Sequence, residues 1–100
     1  MEDKIKLAKR KDFPMYTGLI KYFPKALKAV AFTSLEGNRQ HHSDKPLHWD
    51  KNKSNDHYDC LVRHLSDHSI EPLDDDGVYH LTKVAWRALA ALEIFLDEQE

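Results

Sequence analysis

The C-terminal run VYHLTKVAWRALAALEIFL, residues 78–96, constrains this chain more than any other segment. At a helical spacing of about 100° per residue, Leu81, Val84, Ala85, Ala88, Leu89, Leu92, Phe95 and Leu96 share a broad apolar face. Ala90, Ala91 and Ile94 carry apolar character past its borders, so little of the circumference is left for water. Such a helix needs neighbours on more than one side, which a few helices supply poorly. The deficit leads to an expectation of self-association into a homo-oligomer.

Other segments read as helices too. Pro24 suits a first helical turn, and KALKAVAFTSLE continues at helical spacing to a Gly37-Asn38 stop, giving a helix over 24–36. Ser54 is placed to cap a helix over 55–68. The predicted fold class is all-α: three to four helices in one domain, residues 1–100. A charged arm covers 1–12, and a long loop over 37–53 joins the first and second main helices. Between arm and first helix, FPMYTGLIKYFP has two prolines and a glycine among aromatics and reads as an ordered extended segment.

A single domain of 100 residues buries roughly 60–68% of its extended surface, which leaves little for a deep cleft within one subunit. Fifteen basic against seventeen acidic side chains give a net charge of −2, unlike a dedicated nucleic-acid binder. The basic run KIKLAKRK is the exception, as a phosphate contact or a solvated arm. The single cysteine, Cys60, precludes an intrachain disulfide. No secretory signal is visible, and VAWRALAALEIFL is too short and too charged to span a bilayer, so a soluble cytoplasmic protein is expected.

The helix DHYDCLVRHLSDH holds most of the ionisable chemistry. Tyr58, Leu61, Val62 and Leu65 make its expected packing face. His57, His64 and His68 line one border, and Asp59 lies beyond the other with Arg63 and Asp67 farther round. Asp59 and His64 are well over a right angle apart. An Asp59–Arg63 surface pair and a boundary His64 are the plain alternatives. Along the last helix, His80 and Arg87 stand nearly in line, with Lys83 farther round. A half-buried guanidinium needs a carboxylate, such as Asp59, or a ligand phosphate.

The DDDG turn fails as a calcium loop, because aligning Gly77 places Pro72 and Lys83 at ligand positions; Asp76 and Gly77 instead supply turn geometry. No HExxH, Walker loop, GxGxxG or CxxC is present. Glu36, Asp59, Asp67 and Glu93 are the carboxylates placed for a metal, with His41, His42, His48 and His57 as further donors. Carboxylates favour Mg2+ or Mn2+; zinc, needing three or four convergent ligands, is less favoured.

Trp49, YDCLVRHL and DDDGVYHLTKVAWRALAALE together resemble a small, mostly phage-encoded helical family: the N-terminal domain of dATP/dGTP diphosphohydrolases. Its members tend to show a tryptophan, an R-H-L helix, an acidic turn leading to H-L, and a terminal alanine- and leucine-rich helix. The resemblance spans roughly residues 10–96 and places Trp49, Tyr58, Asp59, Arg63, His64, His80 and Leu81 on characteristic positions. Arg87 stands where many members have asparagine, and Cys60 replaces a small residue.

The resemblance implies hydrolysis of a purine deoxynucleoside triphosphate to monophosphate and pyrophosphate. Related all-helical pyrophosphohydrolases hold magnesium on paired carboxylates of adjacent helices, an arrangement this chain lacks. On that reading Asp59, His64 and His80 are catalytic; Trp49, Arg63, Lys83 and Arg87 bind the nucleotide; and Glu36, Asp59 and Asp67 hold the metal. The competing readings are a non-catalytic phage-type module that captures a nucleotide, nucleic acid or host protein, in a host's cytoplasm, and a structural helical oligomer.

Overall fold

A computed structural model describes all 100 residues and is all-α. The single turn α1 (Lys4–Leu7) precedes three long helices: α2 (Pro24–His41), α3 (His57–His68) and α4 (His80–Glu98). Asp3 starts α1 by accepting from the amides of Ile5 and Lys6 at 2.8 and 3.4 Å. The aromatic segment is not extended, as its prolines suggest, but wound into a tight turn at Arg10–Asp12 and a wide turn at Tyr16–Ile20. Gly18 makes the second turn possible, since a Cβ there would sit 3.2 Å from the Pro14 ring.

Pro24 opens α2 as expected, but Gly37-Asn38 does not close it. Gly37 stays helical, and Asn38 turns inward, where its amide group donates to the carbonyls of His42 and Lys45 at 3.4 and 3.1 Å. The asparagine therefore clasps the start of the loop instead of ending the helix. The long connection runs from His42 to Asp56, later than the expected 37–53. α3 and α4 likewise begin two residues later than their patterns suggest.

Between them the chain reverses on Gly77, the one residue with positive φ, at +80°. Gly77 donates to the Asp74 carbonyl, Asp74 to that of Val78, and Leu73 pairs with Tyr79 in a single bridge. The reversal makes α3 and α4 antiparallel: His80 meets His64, and Arg87 meets His57 one helical length away. α4 also packs on α2.

The faces that meet are not those the apolar pattern selects. α3 turns His57, Cys60 and His64 inward and leaves Tyr58 and Val62 exposed at 70% and 63%, with Leu65 outward as well. α4 does the same, burying His80 and Ala90 while Leu81, Leu89, Leu92 and Phe95 stay about half exposed. The physical reason lies in α4's inward residues. Half-buried Arg87 finds its polar partners in His57, Ser54 and Asp56 at the start of α3, and His80 finds His64, while Lys83 is satisfied by Asp74 and Asp76 of the turn. Among apolar residues only Cys60, Val78 and Ala90 are buried. No helix is long and apolar enough to cross a membrane.

Candidate functional site

α2, the loop and the inward faces of α3 and α4 enclose a recess of about 540 Å³, a volume suited to a small ligand. Its lining is mostly polar. Lys53, Lys83 and Arg87 bring positive charge and Glu36, Asp50 and Asp76 negative charge, five of the chain's seven histidines border it, and Trp49 and Trp86 provide the large apolar surfaces. The loop is fixed over it. Asn38 holds its start, Lys51 pairs with Asp97 at 3.2 Å, and Trp49 meets Trp86 edge to face at 5.7 Å. Trp86 is itself anchored through Nε1–H to Ser34 Oγ at 2.8 Å.

Lys83 ties α4 to the acidic turn. Its Nζ lies 2.6 Å from Asp74 Oδ2 and 2.7 Å from Asp76 Oδ2, and Gln40 of α2 donates to the same Asp76 oxygen at 3.1 Å. Burial would raise the Asp76 carboxyl, but the bonds from Lys83, Gln40 and the Val78 amide outweigh it and hold the group down to about 2. Lys83's bond lowers Asp74 against its burial. Burial would depress the Lys83 ammonium, but its two carboxylate partners raise it instead.

Beside that network, His64 Nδ1 and His80 Nδ1 stand 2.9 Å apart. One must carry hydrogen and the other a lone pair. Asp74 Oδ2 lies 4.0 Å from His64 Nδ1 and 3.7 Å from His80 Nδ1. Burial, then the nearby Lys83 charge and His80, push His64 below its ordinary value, with Asp74 opposing, so neutral imidazole is favoured. Asp67, one turn after His64, completes a group in which His64, Asp67 and His80 offer donor atoms within 4.8 Å of one another.

Arg87 occupies the other end of the recess. Its Nη1 donates to His57 Nδ1 at 3.0 Å and Ser54 Oγ at 3.4 Å, with Asp56 Oδ1 at 3.8 Å. Accepting at Nδ1 places the His57 hydrogen on Nε2, and that buried atom has no partner within the chain. Burial and the Arg87 charge lower His57, with Asp56 opposing.

Trp49, His64, Lys83 and Arg87, singled out from the sequence, thus share one recess, and His80 reaches it through His64. Glu36 is also on the lining, paired with Arg39 at 3.3 Å. Asp59 and Arg63 are not brought there. Asp59 is exposed on α3's outer side, and Arg63 donates to Cys60 Sγ at 3.4 Å instead of pairing with it. Of the three expected metal carboxylates, only Asp67 belongs to the one group close enough to share an ion.

Two imidazoles and a carboxylate suit a borderline divalent ion such as manganese or zinc better than magnesium, which prefers oxygen. The carboxylates that would suit magnesium, Asp74 and Asp76, already hold an ammonium. Sequence reasoning missed Asp74 and Asp76 as site residues and offered His57 as a further metal donor, not as the partner of Arg87. The DDDG run and the need for a partner at Arg87 were the available signals.

A family model described as dATP/dGTP diphosphohydrolase, N-terminal, matches residues 4–100. Comparison with curated proteins and with solved structures returned no match.

Proposed function

The chain belongs to the dATP/dGTP diphosphohydrolase N-terminal family, and from that premise we propose that its recess binds a purine deoxynucleoside triphosphate and splits it to monophosphate and pyrophosphate. The observation that supports this most is the convergence of Lys53, Lys83 and Arg87 with Trp49 and Trp86 on one lining. Cations neutralise phosphate oxygens, and indole surfaces accept a purine face.

Water forms the new bond to the α-phosphorus, the bridging bond to the β-phosphate breaks, and pyrophosphate leaves. Arg87 and Lys83 offset charge on the departing oxygens. With no ion on the two rings, His64, which burial keeps neutral, is placed with His80 to take the water proton; an ion held there would occupy that lone pair instead. His57 Nε2–H supplies a donor without a competing partner. A divalent ion held by His64, Asp67 and His80 would add Lewis acidity to the phosphate oxygens.

The test is turnover of dATP and dGTP with manganese, zinc or magnesium, with products separated by ion-pair chromatography. Pyrophosphate and monophosphate in equal amounts, lost in His64→Ala, are expected. Release of inorganic phosphate would overturn the reaction. Saturable binding with no product would favour the second reading, a nucleotide-capturing module. That reading draws support from the internal pairing of Asp74 and Asp76 with Lys83.

A further inference from the structure

The accessible surface of the chain is 8342 Å². A folded monomer of 11.7 kDa exposes about 5,900 Å², so this protomer carries an excess of about 2,400 Å². That lies at the upper end of what each partner of an obligate dimer buries, about 1,000–2,500 Å².

The excess sits in two places. One is the N-terminal arm, where Phe13, Met15, Tyr16, Tyr22 and Phe23 are all about half exposed or more. The other is the outer side of the α3–α4 hairpin. Because α3 and α4 are antiparallel and their apolar stripes are rotated the same way from the shared histidine face, both stripes fall on one side of the hairpin.

The arm does not cover its own hairpin. Its turns are tied to one another and to the start of α2 by amide bonds from Lys21 to Tyr16, Phe23 to Leu19 and Leu27 to Phe23, and its aromatic side chains stay exposed. Charge shows what does cover it. Residues 1–28 hold eight basic against three acidic side chains, net +5, while residues 29–100 hold seven basic against fourteen acidic, net −7. Face-to-face pairing of two hairpins would bring like charges together, whereas arm on hairpin matches both apolar surface and sign.

We infer that the protein is a dimer in which the basic, aromatic arm of each copy lies across the apolar, acid-bordered outer side of the α3–α4 hairpin of a second copy. The exchange is reciprocal about a two-fold axis and so closes at two chains. It does not depend on the proposed reaction, because the hairpin's outer side is opposite the recess.

Two single-cysteine chains test it, both with Cys60→Ser: one bears Tyr16→Cys, the other Val62→Cys. A bismaleimide should join the mixed chains rapidly and each chain alone only weakly. Sedimentation of the unaltered chain should give a dimer at micromolar concentration. Phe95→Lys and Tyr22→Asp should each weaken it by about a hundredfold, with helicity retained by circular dichroism. If either substitution prevents folding, the cross-link, which needs neither of them, still decides. A monomer throughout the range, or cross-links confined to Val62→Cys with itself, would each overturn the inference.

Discussion

His64 and His80 face each other Nδ1 to Nδ1 across the α3–α4 contact at 2.9 Å, closer than two protonated rings tolerate. One ring therefore donates and the other accepts, and burial favours the neutral form of His64.

Manganese or zinc should raise the melting temperature of the unmodified protein, and His80→Ala should weaken binding of either ion by about tenfold or more in calorimetric titration. Affinity should persist slightly below the ordinary imidazole range, since burial lowers His64, and then disappear on further acidification. Unchanged affinity in His80→Ala would remove the site.

Acid should destabilise the protein in two stages. His64 and His57 are lowered in the fold, so the unfolded chain takes up protons first, and stability falls as pH drops through about 6.5. Asp74 and Asp76 are also lowered, so their contribution is complete above 3.8 and is lost as pH falls toward about 2. Urea midpoints measured across this range should show both steps.

Lys83→Met leaves two partly buried carboxylates without their cation. A loss of about 1–2 kcal/mol at neutral pH is expected, reduced from a fully buried pair because the three side chains keep 19–28% exposure. The difference from the unmodified protein should shrink as pH falls toward about 2, where Asp76 begins to take up its proton, and disappear on further acidification.

Gly37→Ala should stabilise by about 0.5–1 kcal/mol, since the position is helical and a Cβ would meet nothing within 4 Å. Gly77→Ala should do the reverse, because φ there is +80°. Thermal melts of the pair decide both.

Arg87→Lys should weaken dATP binding by about tenfold and Arg87→Met by about a hundredfold, because an ammonium cannot serve His57, Ser54 and a phosphate from one planar fork. Equilibrium dialysis gives the ratio, and equal affinity in all three proteins would place the phosphate elsewhere.

Periodicity alone was enough to locate the three long helices, and the acidic turn with Gly77 was legible from residue chemistry. The inward side of α3 was not. A pattern-based reading assigns Tyr58, Val62 and Leu65 to the packing face, but Arg87 and His80 on α4 take His57 and His64 as partners, while Lys83 is held by Asp74 and Asp76 of the turn. Asp59, read as a metal ligand, consequently rotates outward. Gly37-Asn38 misled for a related reason. An asparagine ends a helix or clasps a loop according to what lies within reach of its side chain, and the carbonyl of Lys45 is seven residues away.

Packing the hairpin through imidazole, ammonium and guanidinium has a calorimetric signature. Unfolding a protomer that hides so little hydrocarbon exposes little new apolar surface to hydration, so its heat-capacity increment falls below the usual ~12–15 cal/mol/K per residue. The stability curve of such a chain is broad and shallow, with cold and heat denaturation far apart and neither transition steep.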